Sequence, residues 1–220
     1  MLAAHFCSAC GKVQPPAPVD YFTFFGLPRK LNVDVKKLEN EFYALSRRLH
    51  PDLYSQEDSK EQEWSLEQSS KLNDAYRTLK DPIKRTEYLL HLEGVELEEQ
   101  SKTATEKART SGEIKKQVVP PDLLEEVFEL NMELEEARMN KKMGEDDPAL
   151  LKDLENHKAH FEQKYELLSQ ELHGYWDEWD QLVDSGTEEA RRRVRDKMVD
   201  LLNRRNYICN LVRDVNEELG

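Results

Sequence analysis

Apolar residues recur along the chain at the spacing of amphipathic helices, most clearly after Asp34. In residues 34–49 they form one stripe, which consists of Val35, Leu38, Phe42, Leu45 and Leu49. Asp34 is suited to cap the start of this helix. Pro51 forces an end at about His50, because the residue before a proline disfavours the α conformation. The pattern therefore predicts a helix over 34–49 that stops at His50-Pro51-Asp52.

The same periodicity returns after a polar loop predicted at roughly 53–64. A second helix is predicted over roughly 65–80, with one apolar face made of Leu72, Ala75, Tyr76 and Leu79. Asp81-Pro82 then opens a further helix that runs through Leu92 and ends before Gly94. The result is an antiparallel helical hairpin whose tip carries an imidazole and a carboxylate.

Four stretches organise the chain. Residues 1–19 form an N-terminal tail with one CxxC and a proline cluster, which predicts an appendage with little core of its own. Residues 20–93 contain the helical hairpin, and the polar residues 94–119 read as a linker. Residues 120–220 are helical again, with later helices near 147–183 and 187–219. Strand alternation is nearly absent, so the predicted fold is all-α, with an N-terminal hairpin and a C-terminal three-helix bundle.

Charge and composition exclude several functions. A net charge of −13 argues against a nucleic-acid partner and against an anionic membrane surface. No apolar run approaches the roughly 20 residues that cross a bilayer. Three cysteines do not make a disulfide framework, which indicates a reducing compartment. The opening residues do not resemble a signal or transit peptide, so a bacterial cytoplasm is expected, with the mitochondrial matrix as the alternative.

The helical hairpin suggests docking rather than catalysis. Four basic side chains fall on the solvent side of the first helix: Lys36, Lys37, Arg47 and Arg48. They can steer the protein toward an acidic partner, and Asp52 can accept a bidentate pair from a partner arginine. The alternative is that His50-Pro51-Asp52 is an ordinary helix stop.

Residues 120–140 carry two apolar stripes on one predicted helix. The first contains Leu123, Val127, Leu130 and Leu134, and is assigned to the bundle core. The second contains Leu124, Phe128 and Met132, at i, i+4 and i+8. A helix with two apolar faces is either buried on both sides or offers one face to a partner.

Three motifs around the hairpin closely resemble the J-domain. Tyr21-Phe22 and Phe25-Gly26-Leu27 match its opening element, and Tyr43 and Arg47 stand where the family's run toward His-Pro-Asp expects them. Residues 73–85, NDAYRTLKDPIKR, match its third element. The resemblance implies that His50, Pro51 and Asp52 trigger ATP hydrolysis in a DnaK-type chaperone. It also implies that the basic side chains supply the electrostatic contact.

The order of elements narrows the resemblance further. Tyr88-Leu89-Leu90-His91-Leu92-Glu93-Gly94, a short linker and an acidic helical tail are similar to the HscB (Jac-type) co-chaperones of iron–sulfur cluster assembly. This resemblance implies an L-shaped two-domain arrangement and two partners, a DnaK/HscA-type ATPase and an iron–sulfur scaffold protein of the IscU type. It assigns scaffold binding to Leu124, Phe128, Glu129, Met132 and Phe161. Phe161 also lies on a predicted core stripe with Leu150, Leu154, Leu168 and Leu172, so a core role stays open.

The cysteines permit a different class of function. Cys7 and Cys10 form half of a zinc knuckle, and zinc normally takes four ligands. His5 is a poorly spaced third candidate. Three readings stay open: a flexible or vestigial tail without cofactor, zinc shared between two chains, and a redox pair. Cys209 is expected to be a buried hydrophobe. No phosphate loop, HExxH or nucleophile–base arrangement stands out, so an enzyme is the least expected class. The J-domain resemblance implies ATPase activation without a catalytic site of its own. A J-domain protein with a different client remains a further alternative.

Overall fold

The computed structural model describes residues 5–95, 97, 119–145 and 147–219. Within these ranges every regular element is helical, apart from one isolated bridge between Phe6 and Val13, so the all-α prediction is confirmed. Contacts divide the chain into two compact units. The first comprises Met1–Glu96 and Trp176–Arg192, and the second comprises Leu97–Tyr175 and Arg193–Gly220.

The α-helices are α1 (Tyr21–Phe24), α2 (Val35–Leu49), α3 (Ser59–Lys80), α4 (Pro82–Leu92), α5 (Leu124–Met143), α6 (Pro148–Ser185) and α7 (Glu188–Leu219). Short 3₁₀ turns cover Pro51–Tyr54 and Pro121–Leu123. No helix among the described residues is long and apolar enough to cross a membrane. Most of the predicted linker over 94–119 lies outside the described residues.

Local caps explain where the hairpin helices begin. The Asp34 carboxylate accepts from the backbone N–H of Lys37, as predicted for the start of α2. Asp58 accepts from the N–H groups of Lys60 and Glu61, so α3 begins at Ser59 and not near residue 65. The prediction of a loop up to 64 was therefore wrong. The first turns of α3 are polar, and a polar helical turn looks like a loop when only apolar periodicity is read.

The core of the first unit joins the two long helices of the hairpin. Leu49 packs with Leu72 and Ala75, and Phe24 closes the cluster from α1. Leu38 is also buried, whereas Val35 is exposed, so the predicted α2 stripe is covered from its second turn onward. Asp81 caps α4 ahead of Pro82, and Gly94, with a φ of 78°, follows the helix as predicted.

The N-terminal residues are part of this core rather than an appendage. Val13 is buried in one cluster with Phe24 and Leu72, so the tail, which was expected to have little core of its own, packs into the core of the hairpin. Gln68 on α3 is buried and donates from Nε2 to the carbonyl of Gln14 at 2.7 Å. Residues 5–14 thus supply both apolar packing and the hydrogen-bond partner that a buried amide needs.

Residues 176–192 contribute a second set of contacts to the first unit. The Asp180 carboxylate accepts from the backbone N–H groups of Leu31 and Asn32 at 2.6 and 2.9 Å. Trp179 is buried and donates from its indole nitrogen to the Arg29 carbonyl at 3.1 Å. Trp176 is buried as well, so the default expectation of core packing for these tryptophans is confirmed.

The second unit packs α5 against residues of α6 and α7. Its core contains the predicted stripe of α5 together with residues from the other two helices: Leu123, Val127, Leu130, Leu134, Ala137, Leu150, Leu154, Phe161, Tyr207, Ile208, Leu211 and Val215. Gly144 adopts a φ of 71° where α5 ends. The expected core role of Cys209 was wrong, because its side chain is exposed on α7.

Candidate functional site

The hairpin tip is shaped by the local backbone. His50 has extended backbone angles, with a φ of −60° and a ψ of 126°, so α2 stops there and the chain turns into the 3₁₀ segment. The Nδ1 atom of His50 accepts from the backbone N–H of Asp52 at 3.3 Å. The same Nδ1 atom lies 3.5 Å from the Asp52 carboxylate, and the two side chains form an ion pair only when the ring is protonated.

Side chains of neighbouring elements hold the last carbonyl groups of α2. Ser65 and Ser69 on α3 both donate to the Leu49 carbonyl, at 2.8 and 2.7 Å. The Tyr54 hydroxyl donates to the Arg48 carbonyl at 2.9 Å. These groups fix the helix end that presents the tip, because carbonyls in the last turn lack helical partners. The sequence analysis missed all three residues, although a serine pair four residues apart is a signal for one polar stripe on α3.

Charge on α2 and the tip is left open to solvent. The side chain of Asp52 is 89% exposed and that of His50 is 56% exposed. All four predicted basic residues of α2, Lys36, Lys37, Arg47 and Arg48, are exposed. Arg47 and Arg48 lie in the last turn beside the tip, whereas Lys36 and Lys37 lie about 20 Å from the tip along the helix axis. The basic residues therefore form a long, exposed basic face along α2, with only two of them adjacent to His50-Pro51-Asp52.

The second apolar stripe of α5 is exposed. Leu124 is 53%, Phe128 65% and Met132 60% accessible to solvent, whereas the first stripe is buried. The possibility that both stripes are buried is thereby excluded. Isolated exposed apolar residues are common, but three on one helix face form a surface that a partner can cover. Glu125 and Glu129 are exposed beside this stripe, which gives it an acidic rim.

Two glutamate side chains of α5 form polar contacts with side chains of α6. The Glu126 carboxylate accepts from the Lys164 ammonium at 2.6 Å and lies 3.1 Å from Nε2 of His160. Burial alone would raise the pKa of Glu126, but Lys164 and His160 outweigh that effect and lower it. Glu133 makes a similar contact with His157 at 3.3 Å. These pairs orient α5 so that Phe128 stays on the solvent side.

Phe161 does not belong to this exposed surface. Its side chain is 0% exposed and sits in the core of the second unit. A partner could reach it only if the bundle opened, so its assignment to scaffold binding is corrected in favour of the core role. The apolar stripe that includes Leu150 and Leu154 had already pointed to that role.

The cysteine pair offers two ligands rather than a complete metal site. Cys7 and Cys10 are free thiols, and hydrogen bonds from the backbone of Ala9 and then of Cys10 lower the pKa of Cys7. His5 contacts two acceptors, Oε1 of Gln68 at 2.7 Å and the Phe24 carbonyl at 3.0 Å. Both ring nitrogens of His5 thus lie within hydrogen-bond distance of a carbonyl oxygen, and the two contacts hold the ring against Gln68 and Phe24. Among the described residues no group of three or more His, Cys, Asp or Glu is arranged to hold a metal.

A known protein family matches the part of the chain that forms the helical hairpin and its tip. Residues 20–88 match the model of the DnaJ domain, which covers α1 to α3, the first part of α4 and the His50-Pro51-Asp52 tip. The segment that carries the tip is therefore similar to the DnaJ domain.

The individual proteins that are similar in sequence to this chain carry the name HscB. The chain is 44% identical over 95 residues to the mouse iron-sulfur cluster co-chaperone protein HscB, covering 43% of this chain and 41% of the relative. It is 37% identical over 141 residues to the human protein of that name, covering 64% and 54%. It is 40% identical over 85 residues to a co-chaperone protein HscB homolog of Vibrio cholerae, covering 39% and 50%. The chain thus spans about half the length of the curated relatives it matches.

Solved structures share the fold. The crystal structure of human co-chaperone protein HscB aligns with a TM-score of 0.61 at 24% identity, covering 99% of this chain and 91% of that chain. Chaperone HscB from Vibrio cholerae aligns with a TM-score of 0.53 at 24% identity, covering 90% and 96%. At this level of identity the likeness shows that the fold is shared.

Proposed function

We propose that this protein stimulates the ATPase of a DnaK/HscA-type chaperone through its first unit. Through α5 it delivers an IscU-type iron–sulfur scaffold protein to that chaperone. It acts as a regulator and does no chemistry of its own. The observation that carries the proposal is the highly exposed Asp52 carboxylate at the end of a basic helix, within a segment that matches the DnaJ domain.

The tip is suited to triggering a partner rather than to catalysis. Asp52 presents a carboxylate that a partner arginine can bind with two hydrogen bonds. The exposed position of His50 and Asp52 gives no desolvation with which to tune an acid–base pair. Basic residues along α2 favour encounter with an acidic surface, and this contribution should weaken as salt increases.

The exposed stripe of α5 supports the scaffold assignment. Leu124, Phe128 and Met132 present apolar area that does not stabilise the bundle, and Glu129 adds an exposed carboxylate at its edge. Because buried aromatic residues dominate many interfaces, Phe128 is the expected anchor. The HscB names of the relatives, which refer to iron–sulfur clusters, point to the class of partner.

The test is steady-state ATP hydrolysis by the cognate chaperone, with this protein and the scaffold added separately and together. Synergistic stimulation is expected. Asp52→Asn should abolish the stimulation while the circular dichroism spectrum stays unchanged, because the Asp52 side chain packs against little of the protein. If Asp52→Asn stimulates normally, the trigger assignment is wrong.

Phe128→Ala tests the second half of the proposal. It should weaken scaffold binding by about 1–3 kcal/mol in a calorimetric titration, the range of an interface anchor. Leu66→Ala is the matched control, because Leu66 is equally exposed but lies on α3 in the first unit. Equal scaffold affinity of Phe128→Ala and wild type would remove Phe128 from the site.

Two alternatives give different results in these experiments. A J-domain protein with another client would stimulate the ATPase but would not retain the scaffold in a pull-down. A zinc protein would bind the metal through Cys7 and Cys10, and metal analysis of the purified protein would detect it. A redox protein would use the same two thiols and would contain no zinc. The proposed compartment is the bacterial cytoplasm, and the mitochondrial matrix is the alternative. The relatives include a bacterial and a eukaryotic protein, so they are compatible with either compartment.

A further inference from the structure

An N-terminal aromatic side chain lies directly against the basic face of α2. The guanidinium carbon of Arg48 stands 3.7 Å from the centroid of the Phe6 ring. Arg48 lies in the last turn of α2, two positions before His50, and its side chain remains exposed. This is the shortest of the described cation–π contacts, and it joins residues distant in sequence.

The position of Phe6 is set by contacts that do not involve Arg48. His5 contacts Gln68 and the Phe24 carbonyl on one side of it. Phe6 itself pairs with Val13 in the antiparallel bridge, and Val13 is buried in the core. Lys12 also forms an ion pair with Glu61, a buried carboxylate on α3. The ring is therefore part of a fixed platform, and the flexible partner in the contact is the arginine.

Stacking on a ring restricts an arginine without consuming its hydrogen-bond donors. The ring face attracts the cation, while the N–H groups of the planar guanidinium point outward in the plane. A free exposed arginine loses side-chain entropy when a partner fixes it, and a stacked arginine has already lost part of that entropy. Phe6 can thus prepare Arg48 to bind a carboxylate.

We propose that residues 5–14 form part of the chaperone-docking face, and that Phe6 is a positioning residue that holds Arg48 ready for a carboxylate on the acidic surface of the ATPase. This inference rests on the proposed function, because it assigns Arg48 to contact with the chaperone. It extends the docking face beyond the DnaJ-matching residues 20–88.

The measurement is ATPase stimulation as a function of co-chaperone concentration, using the full chain. Phe6→Leu keeps an apolar side chain on the core but removes the ring. It should raise the half-maximal concentration about 2- to 5-fold, because binding must then supply the part of the ordering entropy of Arg48 that stacking had already removed. The maximal rate should not change, because His50-Pro51-Asp52 is intact. Phe6→Tyr retains a ring face and should restore the wild-type concentration.

A double-mutant cycle separates positioning from a general structural effect. In the Arg48→Ala background, Phe6→Leu should have no further effect on the half-maximal concentration. An equal effect in both backgrounds, or full activity of Phe6→Leu, would overturn the inference. Loss of stimulation in Asp52→Asn together with normal Phe6→Leu would reject only the role of Phe6. Normal stimulation by Asp52→Asn would reject the proposed trigger itself.

Discussion

Two serine hydroxyls support the end of α2, and removing them tests whether tertiary contacts hold the tip in place. Ser65 and Ser69 donate to the same Leu49 carbonyl, and both Leu49 and Ser65 are fully buried. Either single Ser→Ala change leaves one donor, so the loss should be about 0.5–1.5 kcal/mol. The double change leaves a buried carbonyl without these donors, an arrangement that costs about 1–3 kcal/mol beyond the lost bonds. The loss of stability in the double variant should therefore exceed the sum of the losses in the two single variants.

Urea unfolding followed by tryptophan fluorescence reports the stability of the first unit, which contains α2 and α3. The protein has three tryptophans, Trp64, Trp176 and Trp179, and all of them lie in the first unit. Alanine also raises helix propensity by up to about 0.5 kcal/mol relative to serine. Ser70→Ala corrects for this gain, because Ser70 is the neighbouring exposed serine of α3.

The same variants should affect function through the tip. With both serines replaced, the last turn of α2 is less restrained, and maximal ATPase stimulation should fall although His50, Pro51 and Asp52 are unchanged. The reasoning is refuted if the double variant is no less stable than Ser70→Ala, or if the two single losses simply add to the double one.

Three further outcomes follow from burial and charge. Phe161→Ala should destabilise the second unit by about 3–5 kcal/mol, because it empties a core position; a scaffold-affinity loss without a stability loss would contradict its core role. Burial raises the pKa of Asp20, but hydrogen bonds from Thr23 and Arg29 outweigh this and lower it. Its contribution to stability is therefore complete above the ordinary aspartate pKa of about 4 and is lost as pH falls through the lowered pKa. The stability difference between wild type and Asp20→Asn should shrink below that pH, and a constant difference would contradict the assignment. Raising salt should increase the half-maximal co-chaperone concentration for the wild type more than for Lys36→Ala/Lys37→Ala, and equal salt dependence would exclude these lysines from the contact.

Local sequence rules predicted a helix boundary correctly where a capping residue or a proline stands at that boundary. Asp34, the proline after His50 and the Asp81-Pro82 pair all act on neighbouring backbone groups, so their effects need no knowledge of the fold. The start of α3 was misplaced because its cap, Asp58, precedes two turns that carry no apolar stripe. The start of this helix is set by its cap, a signal that hydrophobic periodicity does not contain.

Pattern alone could not decide which apolar surfaces are covered. It found two stripes on α5, but only the packing of α6 and α7 shows that one is buried and that Phe128 is exposed. The same limitation affected Phe161, for which two roles stayed open, and Cys209, which was expected to be buried and is exposed. Periodicity gives the direction of a side chain around its own helix and carries no information about the neighbour on that side.

By itself, the sequence determined the all-α class, the proline stop at His50, the basic face of α2 and the J-domain resemblance, because each depends on residues close together in the chain. Only the tertiary structure decided that Val13 completes the core, that Ser65 and Ser69 hold the Leu49 carbonyl, and that Phe6 meets Arg48. These contacts join residues far apart in sequence. Their geometry follows from how the helices pack, and no local propensity encodes that packing.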